Sequence, residues 1–424
     1  MKLIDNIKTS EFNKNVFKIF SGTLVAQVLS IAIIPVLTRI YTPEDFSSLA
    51  LYSSIVAILS MFVTLKYDKA IMLPVKDKEA FSLIVLSIFL TVFFGFIFYI
   101  LYFFFFDSIA LLLKVDGLED WLIFVPISII IIGLYNILNT WFNRKKEYSK
   151  LSNNRIITSF NGGVSKVGFQ IIFKLGAFGL VMGELFAQSF ALFFFGRSFL
   201  KKNLSKILSV TKKDLKDVAT TYKSFPIYSL PADFLGAFTR ELPIFMLSSY
   251  YGASLVGYYM LTKSTLNAPF NLLSTSILEV FKQKAIEDYN EKGNCSEIFL
   301  STLKKLFLTS VIPFSLLYFF APFLFSFIFG EKWAISGVYA QLLTIMYFFK
   351  FISSPLSYIF YIVDEIKLDF ILQIIMFGIS WLSIFVGYRL GKGAEFSILL
   401  FSLTNSLVYL VYLIISYNFS KRVL

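Results

Sequence analysis

The sequence predicts an all-α integral membrane protein with about twelve transmembrane helices, arranged as two six-helix lobes around a central cavity. Three observations predict it. Of 424 residues, 57% are hydrophobic, 19% aromatic and only 16% charged, whereas a water-soluble domain carries roughly a quarter charged residues. Apolar runs of the length needed to cross ~30 Å of hydrocarbon recur along the whole chain. Basic residues gather in alternate connections between those runs, the asymmetry that orients membrane proteins.

The runs fall at 17–38, 46–65, 81–106, 121–142, 155–173 and 176–196, then at 225–247, 254–274, 306–328, 336–362, 367–388 and 396–418. The polar, lysine-dotted stretch before the first run lacks an apolar core with a small-residue cleavage site, so no removed signal peptide is expected. The fifth run contains Asn161, Gly162, Gly163, Ser165, Lys166 and Gly168. Small residues suit close helix packing, so this helix is expected to be internal.

If both termini are cytoplasmic, the inside segments hold 29 of the 39 Lys and Arg residues. The outside connections then hold 6, namely Arg39, Lys114, Lys174, Lys332, Arg389 and Lys392. That split predicts the topology and accounts for the net charge of +12 through membrane lipids with anionic headgroups, not nucleic acid. Two connections are long, 197–224 and 275–305. The first suggests an N-terminal lobe at 1–198, a cytoplasmic linker at 199–224 and a C-terminal lobe at 225–424. In that linker Leu204, Ile207, Leu208, Leu215 and Val218 interleave with lysines, which fits either a helix lying on the membrane surface or a plain polar connection. The lobes echo each other: Ile34-Pro35 then Tyr41-Thr42-Pro43 in the first, Leu242-Pro243 then Tyr251-Gly252 in the second.

Composition also excludes chemistry. Cys295 is the one cysteine and there is no histidine, so intrachain disulfides, Cys/His metal sites and histidine catalysis are ruled out. No Gly-rich phosphate loop occurs, and neither cofactor nor metal is expected.

Ionisable residues at membrane depth cost at least ~2.5–3.5 kcal/mol on insertion scales and mark interior cavities by default. The cations at that depth are Lys166, Arg240, Lys263 and Lys350; the anions are Glu184, Asp233 and Glu241. Lys263, Asn267 and Asn271 recur every fourth residue, which places them on one helix face. Asp233 and Arg240, seven apart, share a face, with Glu241 turned ~100° away. Thr23, Gln27 and Thr38 line one side of the first run, and Lys350, Ser354 and Ser357 repeat the theme in the tenth. One reading is a hydrophilic cavity whose cations receive an anionic headgroup, above all a pyrophosphate. The other is that the lysines pair with Glu184, Asp233 or Glu241 to lock helices together. Arg39 reads as a headgroup-level anchor or as a gate contact. A desolvated Asp233, Glu241 or Glu184 would exchange a coupling H+ as the cavity opens, or Na+ in its place; beside an arginine it would stay ionised.

The stretch Leu24-Val25-Ala26-Gln27 through Pro35-Val36-Leu37-Thr38-Arg39-Ile40-Tyr41-Thr42-Pro43-Glu44-Asp45-Phe46 resembles the start of polysaccharide repeat-unit flippases. So do Tyr67-Asp68-Lys69-Ala70-Ile71-Met72-Leu73-Pro74 and Tyr222-Lys223-Ser224-Phe225-Pro226 through Pro231. Gly257-Tyr258-Tyr259 and Ala268-Pro269 follow in the family's order. The resemblance covers nearly the whole chain, clearest at 22–80 and 222–285; Ser47 departs from the glycine the family often has. It implies membership of the multidrug/oligosaccharidyl-lipid/polysaccharide exporter superfamily, with two six-helix lobes working by alternating access. The implied substrate is an undecaprenyl-pyrophosphate-linked oligosaccharide, such as an O-antigen or capsule unit, flipped across the bacterial inner membrane for a polysaccharide polymerase to use. Arg240 and Lys263 lie on helices resembling the cavity-lining pair of the C-terminal lobe, and Arg39 at the matching end of the other lobe.

A multidrug exporter of the same fold is the alternative, but exporters of organic cations favour an acidic, aromatic cavity. A membrane polymerase or ligase would carry a large external loop, and the longest expected here, 107–120, is short.

Overall fold

The computed structural model describes residues 11–113 and 119–422. Among them there is no strand, and twelve helices have seventeen residues or more. These are α1 (Glu11–Ile40), α2 (Pro43–Leu59), α3 (Asp77–Leu113), α4 (Val125–Arg144), α5 (Tyr148–Phe173) and α6 (Ala177–Leu208). They continue as α7 (Leu230–Tyr251), α8 (Ala253–Lys292), α9 (Ser296–Phe329), α10 (Ala334–Leu356), α11 (Ile366–Arg389) and α12 (Gly393–Ser420). Each overlaps one of the twelve apolar runs. The start of the chain and residues 114–118 of the expected 107–120 loop, Lys114 included, lie outside the described residues.

Eight of the helices are long and apolar enough to cross a membrane by length and composition alone. The other four are α2, with 17 residues, and α5, α7 and α8. The last three carry Lys166, then Asp233, Arg240 and Glu241, then Lys263. Three of the four helices with the weakest apolar signal thus hold five of the seven intramembrane charges, whereas Glu184 and Lys350 lie on the apolar helices α6 and α10.

Local chemistry sets the turns. Thr42 and Asp45 cap α2 reciprocally: the Thr42 N–H donates to Asp45 Oδ2 at 2.9 Å, and the Asp45 N–H donates to Thr42 Oγ1 at 3.2 Å. Pro43 takes the first helical position, where its missing N–H costs nothing. α2 stops at Leu59, short of the expected 65. A series of turns follows, closed by Leu65 and Lys66 at φ of 47° and 63°, and delivers the short helix Tyr67–Ala70.

The chain divides into two compact units, Met1–Ala237 and Phe238–Leu424. In the first, α1 packs on α5, α5 on α6, α6 on α4 and α2, and α3 on α4. Gly183 lets α6 approach α5 closely, because a Cβ there would stand 2.5 Å from Lys166 Cγ and 2.9 Å from the Lys166 backbone nitrogen. α5 is enclosed on one side only: Gly162 and Gly163 are buried, but Phe160, Val164 and Ile171 are exposed.

At the basic end of this unit, Tyr67, Ile71, Phe81, Trp141, Phe142 and Phe199 form a core. The stretch expected as a linker packs here. α6 continues to Leu208, a turn follows, and the helix Lys212–Thr221 starts from a second reciprocal cap between Thr211 and Asp214. Val218 is buried in that core, the Tyr67 hydroxyl donates to the Ala219 carbonyl at 2.9 Å, and Lys78 pairs with Asp214 at 2.9 Å. The expected apolar face is therefore split. Val218 and Ile207 pack on protein, whereas Leu204 and Leu208 are exposed.

In the second unit α10 packs against α8, α9 and α12, and α11 packs on α12. Gly337 brings the α10 backbone onto α9, where a Cβ would stand 2.5 Å from Pro322 Cα. α8 and α9 turn through Gly293 at φ 73°. The Cys295 N–H then donates to the Ser420 carbonyl at 3.0 Å, fastening that turn to the end of α12.

Candidate functional site

The second unit gathers five of the residues singled out in the sequence. Lys263 of α8 reaches Glu241 of α7, Nζ to Oε2 at 2.8 Å, and also donates to the Arg240 carbonyl at 3.3 Å. One turn beyond Lys263, Asn267 is a hydrogen-bond partner of the Tyr347 hydroxyl on α10. Lys350, a turn further along α10, places Nζ 4.7 Å from the Phe270 ring centroid and 5.1 Å from that of Tyr347. Ring faces of this kind attract a cation without neutralising it.

Charge does not balance here. Lys350 lies within electrostatic range of both Lys263 and Arg240. Among the described residues neither Arg240, which is exposed, nor Lys350 forms an ion pair. Among the described residues the one ion pair in this group is Lys263 with Glu241, and Arg240 and Lys350 add two further positive charges beside phenol and amide groups. Asn271 continues the stripe along α8, but its side chain lies outside the described residues.

The first unit holds a second pair, Lys166 Nζ to Glu184 Oε2 at 2.6 Å, with Gln188 donating to the other carboxylate oxygen at 2.9 Å. The Tyr41 hydroxyl donates to the Lys166 carbonyl at 2.6 Å, so α5 is also tied to the turn after α1. Here the charges balance one to one, and the arrangement is the helix-locking pair considered for this lysine. Gln27 is half-buried on α1. Arg39 is exposed at the end of α1 and makes no ion pair among the described residues.

Asp233 is not brought to Arg240, although the two share a helix. It accepts from Lys69 at 2.6 Å and pairs with Lys66 at 3.2 Å, at the turn preceding and within the short helix Tyr67–Ala70. Phe234 meets Phe62 edge-on beside it, with centroids 5.4 Å apart.

Several participants escape a reading by charge. Tyr259, Tyr347 and Tyr409 form one electrostatic group with Glu241. Arg155 of α5 donates to Thr23 of α1 at 2.5 Å. Tyrosines abound in the sequence, so nothing local marks these three. Their shared setting arises only when α8, α10 and α12 pack.

A family model described as a polysaccharide biosynthesis protein matches residues 36–338. Among solved structures, the lipid II flippase MurJ in an inward closed conformation is similar with TM-score 0.75 at 14% identity, covering 94% of this chain and 87% of that one. An inward-facing multidrug resistance MATE family transporter of the MOP superfamily is similar with TM-score 0.65 at 16% identity, covering 92% and 93%. The MATE transporter VcmN of Vibrio cholerae gives 0.62 at 12% identity, covering 96% and 95%. All three are transport proteins, and at these identities they establish the fold. Comparison with curated proteins gives no match.

Proposed function

The chain belongs to the polysaccharide biosynthesis protein family, and from that premise we propose that it flips undecaprenyl-pyrophosphate-linked oligosaccharide repeat units across the bacterial inner membrane. The movement runs from the cytoplasmic to the outer leaflet by alternating access, with both termini cytoplasmic, and supplies O-antigen or another surface polysaccharide to a polymerase.

The observation that carries this reading is the excess of cations over carboxylates at Arg240, Lys263 and Lys350. A phosphate oxygen at ~4 Å gains about 4 kcal/mol per cation at an effective dielectric near 20, before desolvation is charged against it. An organic cation in the same place would be repelled by a similar amount, which weighs against a drug exporter. The Arg240 guanidinium offers the planar fork that suits a pyrophosphate, and Lys263 and Lys350 act as point charges. Asn267, Asn271 and the tyrosines supply hydrogen bonds that replace water around sugars.

Glu241 is the coupling carboxylate. Substrate phosphate competes for Lys263, and the carboxylate so released takes up a proton or sodium ion. Glu184 and Asp233 hold their lysines throughout.

The test is a strain lacking this chain and any second flippase, with its lipid-linked sugars radiolabelled and its surface polymer assayed. Complete units trapped on the cytoplasmic face with loss of surface polymer support the proposal. Restored chains carrying Arg240→Ala or Lys350→Ala at normal abundance should export roughly tenfold less or worse. Unchanged polymer with no trapped intermediate would overturn the flippase reading and favour drug export.

A further inference from the structure

α6 is longer than a membrane is thick. Its 32 residues rise about 48 Å at ~1.5 Å each, against ~30 Å of hydrocarbon. The apolar run ends at Gly196, and Arg197–Leu208 extend beyond it at the basic end of the first unit. This extension has two unlike faces. Phe199 and Asn203 are buried and Ile207 packs on the core. On the adjoining arc Leu200, Leu204 and Leu208 are 47%, 51% and 76% exposed.

Those leucines are four residues apart and form one stripe. At 100° per residue, Arg197 and Lys201 fall within the same arc, and so does the exposed Phe193 of the preceding apolar run. Among the described residues Arg197 and Lys201 make no ion pair. Two facts point to one occupant. The stripe is continuous with the outward-facing apolar surface of the same helix, and its charges are complementary to phosphate-bearing lipid.

We infer that the face of Leu200, Leu204 and Leu208, with Arg197 and Lys201, docks on the anionic headgroup layer of the bilayer. Leu200, nearest the apolar run, meets the acyl boundary and the cations meet lipid phosphates, with Leu204 and Leu208 progressively farther out. The headgroup zone adds only ~5–8 Å per side, and an upright α6 would carry Leu208 ~18 Å past the hydrocarbon. Immersion therefore falls along the stripe, deepest at Leu200 and least at Leu208.

The experiment labels the full chain with an environment-sensitive fluorophore at Leu200→Cys, Leu204→Cys or Leu208→Cys, with Lys216→Cys as a control. Each protein is placed in nanodiscs of phosphatidylcholine alone or mixed with phosphatidylglycerol, with a headgroup-depth nitroxide lipid as quencher. The expected result is quenching graded 200 > 204 > 208, stronger with phosphatidylglycerol and weakened by salt, with the control unquenched. Substituting Arg197→Gln and Lys201→Gln together should remove the phosphatidylglycerol dependence. Labels that stay unquenched and water-accessible in both lipids would overturn the inference. Protection seen only in native membranes would overturn it in favour of a protein partner.

Discussion

Lys263 and Glu241, on consecutive helices, form an ion pair of 2.8 Å whose lysine also caps the Arg240 carbonyl. The pair is partly enclosed, at 22% and 17% exposure, so losing one partner should cost about 2 kcal/mol, less than the ~3–5 of a fully buried pair. Glu241→Gln should lower thermal stability in nanodiscs and, on the coupling role proposed for Glu241, make transport insensitive to a proton or sodium gradient. Exchanging the two, as Lys263→Glu with Glu241→Lys, should recover most of the stability without recovering transport. Full transport in the exchanged protein would show that the pair only locks helices.

Lys350 should behave in the opposite sense. It is a cation held between rings with no carboxylate partner among the described residues. Lys350→Met should therefore stabilise the protein by about 1–2 kcal/mol in thermal unfolding while reducing export. A stabilised protein with undiminished export would remove Lys350 from the substrate path.

Gly183 controls the other pair. Any side chain there meets the Lys166 backbone, so Gly183→Leu should force α5 and α6 apart and destabilise the first unit by about 1–3 kcal/mol. A crosslink between engineered cysteines across the two helices should form more slowly in the variant. Unchanged crosslinking would mean that the helices accommodate the bulk without separating.

The cap at Asp214 predicts a response to acid. Its carboxyl is held well below the usual carboxylate range, first by its hydrogen bond to Lys78 and then by Thr211. A lowered folded pKa means the contribution is present above the unfolded pKa and is lost as pH falls through the folded one. Proteolysis between Leu208 and Lys223 should thus stay slow at neutral pH and accelerate only in strong acid. Asp214→Asn should bring that cleavage to neutral pH.

Burial, with a smaller contribution from Asp288, pushes the Cys295 thiol up to about 11. Little thiolate exists near neutrality, and the thiolate is the reactive form. Maleimide should label Cys295 slowly in the folded protein and quickly in dodecyl sulfate; equal rates would contradict the packing of the α8–α9 turn on α12.

The stripe of Lys263 and Asn267 was legible from spacing, since residues four apart share a helix face wherever that helix goes. Tyr347 and Tyr409 were not, because one tyrosine among 23 acquires a role only from its neighbours. The linker shows the same limit. Its alternation of leucine and lysine fitted a surface helix or a plain polar connection alike, and gave no sign that Val218 would be buried in the core beside Tyr67 while Leu204 stayed exposed.

By itself the sequence determined the twelve helices and the gathering of basic residues in alternate connections. Each follows from hydropathy, length or hydrogen bonding within a few consecutive residues. Tertiary structure alone decided that Lys166 meets Glu184, that Lys263 meets Glu241, and that Asp233 turns to Lys66 and Lys69 instead of Arg240. Lys350 was left with rings in place of a carboxylate by the same packing. Coulomb attraction acts through space over a few ångströms, so which charge is satisfied and which is left for a ligand depends on how helices pack, not on their order along the chain.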